Sequence, residues 1–237
     1  MSGSTSDSSA VRPGGHVQGI QFDAVVFDFD GLLADSEPLQ IRAWQEFLAR
    51  WNCQLSNELI NEMFGLRVRD SAKVVQQRLD LPITADEVMH GRDEIFLELV
   101  ATELPMMKGS REIVTWLRDE TRLRVALATS GHRRYISAAL GVANLEDAFE
   151  VIVTGDDVQN GKPHPEIYQA AADKLNIDAS RCIALEDAPH GIRSAIDAGM
   201  YCLAIPNEMT ESIPGHDVAT AILPDLIAAR EWIAERM

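Results

Sequence analysis

The sequence predicts an α/β protein with a doubly wound, parallel-sheet (Rossmann-like) core interrupted by an inserted α-helical segment. Three observations predict it. Short apolar runs recur at Ala24 to Phe27, Val125 to Ala128, Val151 to Val153, Ile183 to Leu185 and Cys202 to Ile205, each the length of a buried strand. Helix-like stretches at Ser110 to Leu117, Arg134 to Leu140, Pro165 to Leu175 and Gly191 to Ala198 alternate with the later runs. The interval from about Asp35 to Leu104 breaks that alternation with amphipathic helical patterns and no strand.

The expected organisation is therefore a Ser- and Gly-rich disordered leader over 1–19, an α/β core over 20–34 and 105–237, and a helical insertion over 35–104. In the insertion, Leu39, Ala43, Phe47 and Trp51 recur every four residues and would share one helix face as core packing. Gly65 is placed to stop a helix, and Thr84-Ala85-Asp86-Glu87 has the form of a capping box that starts another.

Composition narrows the function classes. The 237 residues are 46% hydrophobic, enough for a large core, and carry a formal charge of −16 with a pI near 4.7. So acidic a chain does not suit nucleic acid or anionic membrane, which reward a basic face. No apolar run reaches the length of a membrane span, and the leader lacks the hydrophobic block of a signal peptide. Cys53, Cys182 and Cys202 show no metal or redox spacing and read as buried thiols of a reducing compartment. The expectation is a cytoplasmic monomer.

The chemistry concentrates at the ends of the apolar runs. Val25-Val26-Phe27 leads directly into Asp28-Phe29-Asp30-Gly31. Apolar residues on both faces suit a central parallel strand, and ligands of such sheets bind beyond the strands' carboxyl ends. Two carboxylates about 4 Å apart repel by roughly 4 kcal/mol at an effective dielectric near 20, so a cation or a shared proton must relieve them. Metal-assisted phosphoryl transfer uses both remedies; taken alone, the segment is equally an ordinary strand exit with solvated acids.

Three later segments add what phosphate chemistry needs. Thr129-Ser130-Gly131 offers a hydroxyl and backbone N–H groups at a strand-to-helix turn. Gly161-Lys162-Pro163-His164-Pro165 mounts one ammonium between backbone-stiffening prolines. Glu186-Asp187 supplies hard oxygen donors of the kind Mg²⁺ prefers. Each alone is a common turn; His164 and His190 are given no catalytic role.

All four segments, in this order and each after an apolar strand, resemble the haloacid dehalogenase superfamily of phosphotransferases over nearly the whole chain after the leader. Asp28-Phe29-Asp30-Gly31-Leu32-Leu33-Ala34-Asp35-Ser36-Glu37-Pro38 is similar to the opening motif of the branch with a helical cap after the first strand, which includes sugar-phosphate phosphatases and beta-phosphoglucomutase. The resemblance implies Asp28 as the nucleophile that forms an aspartyl-phosphate and Asp30 as the acid and then the base. It implies Thr129, Ser130 and Lys162 as phosphate ligands. Mg²⁺ would be held by Asp28, the Asp30 carbonyl and Asp187, with Glu186 nearby. Specificity would lie in the cap, where Arg67 and Arg69 are candidate substrate contacts and equally ordinary surface arginines.

A Mg²⁺-dependent phosphatase acting on a small phosphorylated metabolite of the sugar-phosphate class is the function this resemblance implies. The mutases carry a histidine early in the first cap helix where this chain has Gln40, which separates it from the alternative of a phosphosugar mutase. A phospho-Asp signalling module is the alternative from another class.

Overall fold

The computed structural model describes residues 21–63 and 66–237; the expected leader and the expected helix stop at Gly65 lie outside them. A six-stranded, all-parallel sheet is ordered β3-β2-β1-β4-β5-β6. Its strands are β1 (Ala24–Phe27), β2 (Arg124–Ala128), β3 (Val151–Val153), β4 (Cys182–Glu186), β5 (Tyr201–Ala204) and β6 (Ala221–Ile222).

Side chains alternate between two cores. Val25, Phe27, Leu127, Ile183, Leu185 and Leu203 point to one face, whereas Ala24, Val26, Ala126, Ala128, Ala184 and Cys202 point to the other. The second set is mostly small, which lets helices α7 (Glu166–Leu175) and α8 (Pro189–Asp197) pack closely on it. Helices α5 (Ser110–Glu120), α6 (Arg133–Ala143) and α9 (Leu226–Ala234) cover the first face. Both faces are buried, so the strands need no polar alternation and appear in the sequence as continuous apolar runs.

Among the described residues, four helices lie between β1 and α5: α1 (Glu37–Ala49), α2 (Asn57–Met63), α3 (Val68–Arg78) and α4 (Ala85–Glu103). On α1, Leu39, Ala43 and Phe47 are buried together with Trp44 and Leu48, while Trp51 lies just past the helix end, partly buried. The Thr84 side chain accepts from the Glu87 N–H, and Glu87 accepts in return from the Thr84 N–H at 2.8 Å, so the capping box forms as its spacing predicts. The chain leaves and re-enters the core through paired segments: the Asp35 N–H donates to Pro105 O at 3.0 Å and the Met107 N–H to Leu33 O at 2.9 Å.

One expectation needs correction. Cys182 and Cys202 are fully buried, but Cys53 follows the end of α1 and is only partly covered. Strand β6 and helix α9 lie beyond the last of the apolar runs. β6 is two residues long, too short for a period, and its pairing with β5 creates it. α9 is fixed by a local device, Asp225 Oδ1 accepting from the Ile227 and Ala228 N–H groups, both at 3.0 Å. No helix among the described residues is long and apolar enough to cross a membrane.

The strand-to-loop turn after β3 is held by Asp157, whose Oδ2 accepts from the Thr154 N–H and Oγ1 at 2.8 Å each and from Arg133. Burial pushes this carboxyl up, but the Arg133 and Thr154 donors outweigh it and hold it near 2. A depressed acid stabilises the fold above its unfolded value of about 4, and that contribution is lost as pH falls toward 2. Asp157→Asn should therefore cost about 1 kcal/mol at pH 7 and nearly nothing at pH 2, read as paired thermal melts of variant and parent.

Candidate active site

The sheet register aligns Phe27 with Leu127 on one side and Leu185 on the other, so the next positions, Asp28, Ala128 and Glu186, stand level across three adjacent strand ends. One ammonium joins all three. Lys162 Nζ donates to Asp28 Oδ1 at 2.6 Å, to Glu186 Oε1 at 2.6 Å and to the Ala128 carbonyl at 3.0 Å. The loop before α7 delivers this side chain inward, 8% exposed, across the β1/β4 switch point where the strand order reverses.

Asp187 completes the group. Carboxylate oxygens of Asp28, Glu186 and Asp187, all buried, lie within 4.8 Å of one another. Asp187 Oδ2 accepts from Asn207 Nδ2 at 2.9 Å, and the same amide donates to Gly31 O at 2.9 Å. Gly31 adopts φ +76°, and a Cβ there would sit 2.4 Å from Asp187 Oδ2, so only glycine admits this carboxylate. His216 Nε2 lies 2.9 Å from the Asp187 carbonyl.

Asp30 turns to a different set of partners. Its Oδ1 accepts from Tyr135 OH at 2.6 Å and from Ser36 Oγ. Thr129 is fully buried directly after β2, and its Oγ1 accepts from the Gly131 N–H at 3.0 Å, whereas Ser130 is exposed.

Electrostatics marks the cluster as short of positive charge. Burial pushes Asp28 up to about 7, with the Lys162 ammonium opposing and the Glu186 charge adding. Burial, then the Glu186 and Asp28 charges, push Asp187 well above the carboxylate range; burial and the Asp28 charge raise Asp30. Lys162 is held above the usual lysine value, because Asp28 and Glu186 outweigh its desolvation. One ammonium against three buried carboxylates leaves room for a cation, and an all-oxygen donor set fits a hard divalent ion such as Mg²⁺.

Asp28, Lys162, Glu186 and Asp187 thus come together from separate stretches of sequence, with Thr129 adjoining through Ala128. The two cap arginines do not join them. Arg67 lies over the outer side of the lysine loop, lining a 570 Å³ groove with Gly161, Pro163, His164 and Arg193, and Arg69 is exposed on α3. His164 and His190 are both exposed.

Several participants carried no sequence signal. Tyr168 OH donates to Glu186 Oε1 at 2.6 Å, and Lys162 lies 4.9 Å from its ring centroid. Tyr135, Asn207 and His216 reach the site from distant positions and belong to no recognisable motif. Glu37 does belong to the opening motif; its Oε2 is buried with no hydrogen-bond partner among the described residues, and burial pushes its carboxyl up to about 7.

A sequence profile described as haloacid dehalogenase-like hydrolase matches residues 25–205. The chain belongs to this family. Family membership extends across most of the α/β core and the helical insertion. Among relatives, the chain is 31% identical to a phosphorylated carbohydrates phosphatase of Thermotoga maritima, over 75% of this chain and 82% of that protein. It is also 31% identical to hexitol phosphatase B of Escherichia coli K12, over 87% of this chain and 93% of that protein. Among solved structures, CbbY from Rhodobacter sphaeroides in complex with phosphate superposes with a TM-score of 0.77 at 26% identity, covering 86% of this chain and 95% of that one. This haloacid dehalogenase-like chain therefore has an α/β core with an inserted helical cap, as the strand and helix patterns predict.

Proposed function

We propose that this hydrolase is a Mg²⁺-dependent phosphatase of phosphorylated carbohydrates, working through an aspartyl-phosphate on Asp28. The observation that carries the reading is Lys162 fixed at 2.6 Å from Asp28 beside two further buried carboxylates at the sheet's switch point. The names of the relatives support the carbohydrate class.

With Oδ1 held by Lys162, Asp28 has a second carboxylate oxygen free to attack phosphorus in line with the leaving alcohol. Asp30 gives its proton to the departing oxygen, then takes one from the water that attacks the aspartyl-phosphate, which returns Asp28 and releases inorganic phosphate. Lys162 and the Thr129 hydroxyl hold the phosphoryl oxygens. Glu186, bonded to Lys162 and Tyr168, keeps the ammonium aimed at Asp28. Asp28, Asp187 and the Asp30 carbonyl would hold the metal, which supplies charge neutralisation for a dianionic substrate among carboxylates. Glu37 Oε2, buried and without a hydrogen-bond partner among the described residues, suits a sugar hydroxyl.

Gln40 favours hydrolysis over a mutase route. Its amide oxygen accepts from Arg92, and it offers no titratable proton where the mutases carry a histidine. A panel of phosphorylated sugars and polyols, assayed for phosphate release with Mg²⁺, with EDTA and with Mg²⁺ restored, tests the reading. Release should appear with Mg²⁺, vanish with EDTA and return. Hexose phosphate interconversion with a bisphosphate primer and negligible release would establish a mutase instead, and no release from any carbohydrate ester would end the proposal.

A further inference from the structure

We infer that Tyr135 is a positioning residue that aims Asp30 at the leaving group and ties that aim to the cap. The inference rests on the phosphatase reading above, in which Asp30 handles the alcohol's proton.

Tyr135 is 1% exposed, so its hydroxyl needs a partner, and it has one: Asp30 Oδ1 at 2.6 Å. Ser36 donates to the same oxygen. Two hydroxyls on Oδ1 restrain rotation of the carboxyl group and leave Oδ2 as the oxygen that carries the proton. The restraint matters because a carboxyl turned away from the alcohol cannot deliver a proton however it titrates.

The ring that aims the hydroxyl is itself clamped. Phe29, in the loop between Asp28 and Asp30, meets it edge-on at 5.9 Å, and Phe96 of cap helix α4 packs on it at 4.8 Å between centroids. The backbone of Tyr135 is fixed as well, since its N–H donates to His132 Nδ1 at 3.1 Å. His132 Nε2 in turn lies 3.5 Å from Asp93 Oδ2 on α4, and Asp93 Oδ1 accepts from the buried Arg92 at 3.0 Å. Helix α4 therefore touches the Tyr135 turn at two points, the ring through Phe96 and the backbone through His132. The seating of the cap and the orientation of Asp30 are one mechanical unit.

The test compares two substrate esters. When the P–O bond of a hexitol phosphate breaks, the hexitol oxygen would depart as an alkoxide and requires a proton from the acid, whereas nitrophenyl phosphate releases a stable phenolate that does not. For Tyr135→Phe, kcat/KM should fall about tenfold on the hexitol ester and less than about twofold on the aryl ester. Phe96→Leu keeps the hydroxyl and loosens the ring, and should shift the same ratio in the same direction by about threefold. Equal losses on both esters, no loss on either, or a gain on the hexitol ester would overturn the role of Tyr135. A wild-type protein inactive on both esters would overturn the phosphatase reading and this inference with it.

Discussion

Asp28→Asn should abolish phosphate release, with kcat down by about 10⁴-fold or more, because an amide oxygen cannot displace the alcohol and nothing else in the cluster stands ready to attack. The fold should survive. An asparagine keeps an acceptor for Lys162, which sits 2.6 Å from Asp28 Oδ1, and removes one of the mutually repelling buried charges. The melting temperature should stay within about 3 °C of the parent, corresponding to about 1 kcal/mol in a chain of this size. Activity and melting measured on the same preparation separate chemistry from folding. Retained turnover would remove Asp28 from its role and the mechanism with it.

Lys162→Met should do the reverse and damage both. The ammonium is the shared partner of Asp28 and Glu186, at 2.6 Å from each, and the pair is almost completely buried. Removing one member of a buried ion pair leaves uncompensated charge and typically costs about 3–5 kcal/mol, here a fall of about 10 °C in melting temperature. The sign of the pH dependence follows. Burial already pushes Asp28 up to about 7 with Lys162 opposing; without the lysine its carboxyl binds a proton still more tightly in the folded state than unfolded, so the variant is penalised at neutral pH and the penalty shrinks as pH falls toward about 4. Turnover should be lost at every pH. Melts of the variant that match the parent at pH 8 would show that Lys162 does not carry the charge balance of the site.

Asp28, Asp30, Thr129, Glu186 and Asp187 were legible because each stands at or just past the end of an apolar strand whose exit is fixed by the sheet, and Lys162 because prolines flank it in the loop before α7. In a parallel sheet, the residues after each strand are forced to one edge, so sequence order alone places those side chains on a common rim. The capping box at Thr84 was legible for a related reason: its two hydrogen bonds close within four residues. Arg67 and Arg69 were singled out for charge and position in the cap; Arg67, just before α3, lines the groove beside the lysine loop, and Arg69 is exposed on that helix.

What the sequence by itself determined is the alternation of strands and helices, the helical insertion and the acidic strand ends, all of which depend on neighbours in the chain or on the periodicity of one element. What only the tertiary structure decided is which side chains complete those acids. Tyr168 reaches Glu186 across 18 positions, Asn207 reaches Gly31 across 176, and Tyr135 reaches Asp30 across 105. Such pairs are set by how helices pack on a twisted sheet, through contacts between surfaces that no local pattern encodes. The Tyr135 and Tyr168 hydroxyls bond these acids because burial leaves them no water to turn to.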